Sequence, residues 1–297
     1  MAWTDTPLEN AVASSRRIGD RTRLLYLRRV QAFITFAGPH PSSWTAANLE
    51  RWRDHLIQTG IRPQTTNVYM SAVRFAAKRM QQLGTGQNMM QGAERARIGL
   101  WPASPRVLDA DECRDLIATC SDWQTNPVAR RDRAMILVGI HAAFRRTELC
   151  SIQFENVALH QITVVAKGRK LHTVQLDDHG GWRALQDWIR WLGRHEVNEG
   201  SVFRSLRPSV DHEWFIGESL TPGGFYGILK KRAKEADIEG LHPHVLRHTF
   251  ASLAIQNNVP GWRIKKVLGH KTDIMMERYL HDLSEGAVGG EFPNLEE

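Results

Sequence analysis

Apolar positions in the first third of the chain recur at helical spacing and nowhere alternate as in a strand. Over Arg21–Phe36, Leu24, Leu25, Leu27, Phe33, Ile34 and Phe36 predict a helix, with Asp20 as its N-cap. Gly38-Pro39-His40-Pro41 stops it, because proline lacks the amide hydrogen that a helix needs. Thr45 caps a second helix reaching about Gln58, and Gly60 ends it. Pro63 is tolerated in a first helical turn and opens a third helix to about Leu83. That helix is predicted to bury Val68, Tyr69, Ala72, Val73, Phe75 and Ala76, and to present Arg74, Lys78 and Arg79.

The periodicity fades over Gly84–Pro105, where four glycines and two prolines predict an interdomain linker, with Ala93–Arg97 permissive of helix. Asp109 then caps a helix carrying Leu116 and Ile117. Arg130–Phe144 is apolar enough to be a buried helix and too short to span a bilayer. Ile162–Val165 and Thr173–Leu176 flank Lys167-Gly168-Arg169-Lys170 and predict a hairpin with a glycine turn. Trp182–Leu192 reads as a helix whose Trp182, Trp188 and Trp191 belong to the core. From Gly223 onward the pattern is helical, broken at Gly240, Pro260 and Gly269. The expected fold is mainly α with a small β-sheet, divided into a helical domain over 1–90, a linker over 91–105 and a second domain over 106–297.

Composition changes this picture in one respect. The 42% hydrophobic and 24% charged fractions of the 297 residues are ordinary for a globular chain. The three cysteines, Cys113, Cys120 and Cys150, form no C-x-x-C pair, which fits a reducing compartment and argues against a cysteine zinc site. The first residues lack the basic-then-apolar order of a signal peptide. The net charge of +7, however, is unevenly placed. Residues 1–100 carry 14 Lys/Arg against 6 Asp/Glu, and the rest of the chain is close to neutral. Such asymmetry points to a nucleic acid or an anionic surface as the partner of the first domain.

The candidate chemistry lies in the second domain. In His242-Pro243-His244-Val245-Leu246-Arg247-His248-Thr249, Pro243 marks a helix start, and His244, Arg247 and His248 share one face. A forked guanidinium near a helix N-terminus suits a phosphate. Gly269 can end a helix in the left-handed conformation, which puts His270 at a turn. The next helix carries Tyr279 between Arg278 and Leu280. Arg145-Arg146-Thr147-Glu148 ends the buried helix, with Glu148 close enough to orient a cation. Lys167 sits at the hairpin tip. A zinc site on His244, His248 and His270 is disfavoured, because Arg247 between the histidines repels a cation.

In this order and spacing the segments resemble the tyrosine recombinases, the phage integrase family. The matching residues are Arg145–Leu149, Ala166-Lys167-Gly168, His244–Thr249, Leu268-Gly269-His270, and Tyr279 nine residues after His270. The resemblance implies a helical core-binding domain followed by a mixed α/β catalytic domain. It implies a site-specific recombinase that cuts and rejoins duplex DNA with no metal, ATP or other cofactor. Tyr279 would be the nucleophile that forms a 3′-phosphotyrosyl link. Arg145 and Arg247 would hold the phosphate oxygens, Lys167 would protonate the leaving oxygen, and His244 would exchange a proton with the tyrosine. His270 would hydrogen-bond the phosphate, and Glu148 would support Arg145.

Two positions depart from the family pattern. Ala143 and Ala166 stand where glycines are usual, so Arg146 and Lys170 rival Arg145 and Lys167. The DNA-contact candidates are a basic belt on the first helix (Arg16, Arg17, Arg21, Arg23, Arg28, Arg29), then Gln64, Asn67, Arg74 and Lys78, then Arg169 and Lys170 of the hairpin. Family members act as homo-tetramers on paired recombination sites, so a cytoplasmic, nucleoid-associated location is expected, with no membrane. The apolar Phe292, Pro293 and Leu295 predict a tail that docks on a neighbouring subunit. A type IB topoisomerase, which relaxes supercoils without paired sites, and a non-enzymatic DNA-binding regulator are the alternatives.

Overall fold

The computed structural model describes residues 6–97, 105–166, 168–177, 180–209 and 214–269. Lys167, His270, Tyr279 and the C-terminal tail lie outside these residues. The chain divides into two compact units, Met1–Ala103 and Ser104–Glu297.

Among the described residues, the first unit is built of helices α1 (Pro7–Ala13), α2 (Asp20–Ala37), α3 (Ala46–Gln58) and α4 (Pro63–Gln82), with a single 3-10 turn before α3. Helix α4 packs against the other three helices. Phe33 meets the edge of Trp52 at 5.3 Å between ring centroids, and Leu8, Trp44, Leu49 and Met70 close the core around them. Thr45 caps α3 as expected, accepting a hydrogen bond from Asn48 N–H. The N-cap of α2 is Gly19, and Asp20 is the first helical residue. Leu24 and Leu25 of α2 and Val68 of α4 face outward, while Val30 and Met70 take core positions beside them. Helix α1 was not anticipated. Its capping box of Thr6 and Glu9, followed by buried Leu8, Ala11 and Val12, is an N-terminal signature written over only seven residues.

The stretch after α4 is not a free connector in its first half. Met90, Ala93 and Ala96 are buried. Asn67 grips Ala96 at two points, its amide donating to the carbonyl and its oxygen accepting the N–H, each at 2.9 Å. Arg74 donates to the Ala93 carbonyl.

The second unit is arranged around α6 (Pro127–His141), buried on nearly every side and capped by Asn126. It follows α5 (Ala110–Ala118), whose N-cap Asp109 and Glu112 form a capping box. After α6 come the short α7 (Arg146–Cys150) and the strands β1 (Val157–Ala158), β2 (Gln161–Ala166) and β3 (Lys170–Gln175). These make one antiparallel sheet in the order β1-β2-β3. Ile162, Val164 and Val174 face the core. Helix α8 (Gly181–Arg194) lays Trp182, Trp188 and Trp191 into that core, as expected. A hairpin of β4 (Arg204–Pro208) and β5 (Trp214–Ser219), unanticipated, precedes α9 (Pro222–Glu235), α10 (Pro243–Gln256) and α11 (Gly261–Leu268).

Two contacts lock the helices that matter most. Asp132 of α6 accepts from Arg131 (2.7 and 3.0 Å) and from Arg232 of α9 (2.9 and 3.0 Å), a fully paired buried cluster. Gly139 lets α10 approach α6, since a Cβ there would lie 2.9 Å from Leu246 Cδ1. No helix among the described residues is long and apolar enough to cross a membrane.

Candidate functional site

The close approach of α6 and α10 brings two of the sequence motifs together. Helix α6 ends at His141 with Ala142 as its C-cap, and Ala143 turns the chain with φ +51 before Phe144 and Arg145. This is where the family pattern has glycine. An L-residue in the left-handed region costs about 1–2 kcal/mol. Here the methyl is fully buried against Ala251, Ala254, Ile264 and Leu268, and burying a methyl-sized group returns about 0.8 kcal/mol. Glycine would also add about 0.4–1 kcal/mol of unfolded-chain entropy. Alanine is therefore tolerated without loss of the turn.

Arg145 is the residue before α7, and Glu148 fixes it twice. Glu148 Oε2 accepts the Arg145 backbone N–H, and Oε1 accepts Nη1, both at 2.8 Å. Glu148 is buried, whereas the Arg145 side chain stays partly open to solvent. A buried carboxylate bonded to both main chain and guanidinium leaves that guanidinium little freedom. The side chain of Arg146, the first residue of α7, makes no hydrogen bond or ion pair with another described residue.

Arg247 is buried on α10. It donates 2.6 Å to the Ala143 carbonyl, in the turn before Arg145, and also donates to the Leu268 carbonyl at the end of α11. One side chain thus ties the Arg145 turn to the residue before Gly269, whose φ of +59 is the expected left-handed cap. His244, one turn before Arg247, stands at the helix start, open to solvent on one side and partly covered on the other. Its pKa is lowered from the ordinary 6.5, first by partial burial and then by the charges of Arg247, His242, Arg145 and Arg146. Its neutral, proton-accepting form is therefore favoured. Arg145, Arg146 and Arg247 thus each act electrostatically on His244. His248 lies half-buried beyond His244, ring centroids 6.5 Å apart.

The β2–β3 hairpin places Ala166 opposite Lys170. Gly168 (φ +87) and Arg169 (φ +59) make the turn, with Arg169 N–H bonded to the Ala166 carbonyl. Arg169 and Lys170 are exposed. Two residues that sequence reasoning missed join these segments. His172 of β3 bonds the Val267 carbonyl at 2.9 Å. Thr249 Oγ1 accepts the Leu108 N–H at 2.9 Å, both groups buried. For His172 a signal existed, because strand alternation puts it on the same face as Val174.

In the first unit the basic belt separates into two sets. Arg23 pairs with Asp20 at 2.6 Å and donates to the Ser15 and Ile18 carbonyls, while Arg29 lies over the Tyr69 ring. These two hold the fold. Arg16, Arg17, Arg21 and Arg28 are exposed, as are Gln64 and Lys78. Asn67 and Arg74 are turned onto the backbone of residues 93–96 rather than outward.

Among the described residues no three His, Cys, Asp or Glu side chains are grouped to hold a metal ion. The three thiols are free and buried, and burial raises Cys113 and Cys150 to about 12 and Cys120 to about 11. They are therefore poor nucleophiles.

Anchored guanidiniums beside a histidine whose neutral form is favoured, on a helical frame with two small antiparallel sheets, make a site suited to an oxyanion such as a phosphodiester. The comparisons with known proteins narrow this class. Residues 106–285 match the model of the phage integrase family, and the chain belongs to that family. It is similar to the tyrosine recombinase XerC of Pseudomonas putida (strain W619), 24% identical over 274 residues that cover 90% of this chain and 87% of the relative. Its fold is similar to that of a lambda integrase dimer bound to a COC′ core site, with a TM-score of 0.71 at 18% identity over 96% of both chains. It is also similar to a lambda integrase tetramer bound to a Holliday junction, with a TM-score of 0.64 at 16% identity over 92% of this chain and 74% of the other.

Proposed function

We propose that this chain is a site-specific DNA recombinase that cleaves and rejoins duplex DNA through a covalent link to Tyr279, without metal or nucleotide cofactor. The observation that carries this reading is the Arg145–Glu148 and Arg247 framework beside a neutral His244. It lies within a family match that also spans Lys167, His270 and Tyr279.

The division of labour follows from elementary chemistry. The Tyr279 oxygen attacks phosphorus, so the O–P bond to tyrosine forms as the bond to the 5′-oxygen breaks. A free tyrosine titrates near about 10 and is protonated at neutral pH. Its proton passes to His244, and Lys167 supplies one to the leaving oxygen. Negative charge gathering at phosphorus is met by Arg145 and Arg247, with His270 as a further donor. Losing one such preorganised donor costs about 100–1000-fold in rate. One phosphodiester is exchanged for another, so rejoining needs no ATP.

Arg21, Arg28, Gln64 and Lys78, with Arg169 and Lys170, are the exposed DNA-contact candidates. The partner is duplex DNA bearing paired sites, and the working assembly is a homo-tetramer. Free, buried thiols suit the bacterial cytoplasm as its location.

The test incubates wild type and Tyr279→Phe with nicked suicide duplexes from the native locus, with and without EDTA. Wild type forms a protein–DNA adduct that EDTA leaves unchanged, and Tyr279→Phe forms none. An adduct that persists in Tyr279→Phe overturns the nucleophile. Relaxation of a supercoiled plasmid that lacks the site would move the reading to a topoisomerase.

A further inference from the structure

His172 stands where three separate segments of the candidate site meet. It belongs to β3, five residues after Lys167 in the same hairpin. Its Nε2 lies 2.9 Å from the Val267 carbonyl, in the last turn of α11. A carbonyl only accepts, so Nε2 carries the hydrogen and donates it. The imidazole also lies against Gly269. A Cβ on that residue would sit 3.4 Å from His172 Cε1 and 3.6 Å from Nδ1. On another side the ring meets Phe144 edge-on, at 6.1 Å between centroids and 85° between planes. Phe144 directly precedes Arg145. One side chain therefore touches the hairpin that carries Lys167, the turn that leads into His270, and the turn that leads into Arg145.

Arg247 makes a second bridge between the last two of these segments, through the Ala143 and Leu268 carbonyls. His172 adds a hydrogen bond between the hairpin and α11.

We propose that His172 is a positioning residue for the cleavage reaction. Its Nε2–H to the Val267 carbonyl sets the hairpin in register with the Leu268–Gly269 turn, so that groups on both reach one phosphate together. It need not touch DNA. The inference rests on the recombinase reading above. A reacting geometry displaced by about 1 Å slows chemistry by up to about 100-fold, while contacts remote from it keep the DNA bound.

The test compares His172→Gln with His172→Asn. Both are neutral amides. Gln carries its donor at the ε position and reaches the Val267 carbonyl, whereas Asn is too short. The measurements are adduct formation on a suicide duplex at saturating protein, the Kd for the same duplex, and the thermal midpoint. His172→Gln is expected to keep a rate within about threefold of wild type, and His172→Asn to fall roughly 10- to 100-fold. Kd and thermal midpoint stay matched in the two variants. Equal rates in the two, at whatever level, overturn the proposal, as does a loss that follows Kd. If wild type itself forms no adduct, the recombinase reading fails and takes this inference with it. Adduct in wild type with equal variants removes His172 alone.

Discussion

His244 shows how one side chain's surroundings decide its role. Partial burial and four neighbouring groups, Arg247, His242, Arg145 and Arg146, all favour its neutral form. The sign follows directly. A lowered pKa means that the proton is lost at a pH below the ordinary 6.5, so the base form is already dominant at neutrality. The acid limb of the cleavage rate at subsaturating DNA, which reports the free protein, should therefore lie below pH 6.5, and Arg146→Gln should move it upward by removing one of the opposing charges. A wild-type limb at or above pH 6.5 would contradict this assignment of the base. Much at this scale was legible. The spacing of Glu148 marks it as able to orient a cation, the family resemblance names Arg145, and the structure bonds the two twice. The left-handed turn at Ala143 was visible only as a departure from glycine. Its tolerance depends on a buried methyl whose neighbours come from α10 and α11.

Elements whose ends carry local chemistry were read well, because caps and breaks act over three or four residues. Thr45, Asp109 and Gly269 end or begin helices where expected. Elements that need a distant partner were not. Strands β4 and β5 hold each other in place and show little alternation of their own, and Leu24, Leu25 and Val68 are apolar yet face outward. The segment before α5 is fixed in the same non-local way. Its Leu108 N–H is satisfied by Thr249, 141 residues away on α10. Thr249→Val keeps the shape but leaves that buried donor unpaired, which costs about 1–3 kcal/mol. Urea unfolding of the second unit should show that loss, and Thr249→Ser should recover most of it. A Thr249→Val protein as stable as wild type would show that the hydroxyl is not what holds the segment.

At the scale of the whole chain, the excess of basic residues in the first hundred is a statement about association, and the structure sorts which of them are available. Arg23 and Arg29 are committed to the fold, whereas Arg21 and Arg28, seven residues apart, are exposed on α2. If each neutralises one phosphate, replacing both by Gln lowers the slope of log Kd against log salt by about 1.8, equally for any duplex sequence. An unchanged slope would place the DNA elsewhere. The sequence by itself determined the helical first domain, the hairpin, the ordered motifs and the family they resemble. These follow from periodicity, caps and the spacing of chemically distinctive residues, all of them local signals. Only the tertiary structure decided which polar side chains serve the fold and which remain for function. Arg74 and Asn67 bind their own backbone, Arg247 bridges two turns, and His172 joins the hairpin to α11. Those partners are backbone carbonyls and amides, which every residue has, so nothing in the order of the side chains announces them.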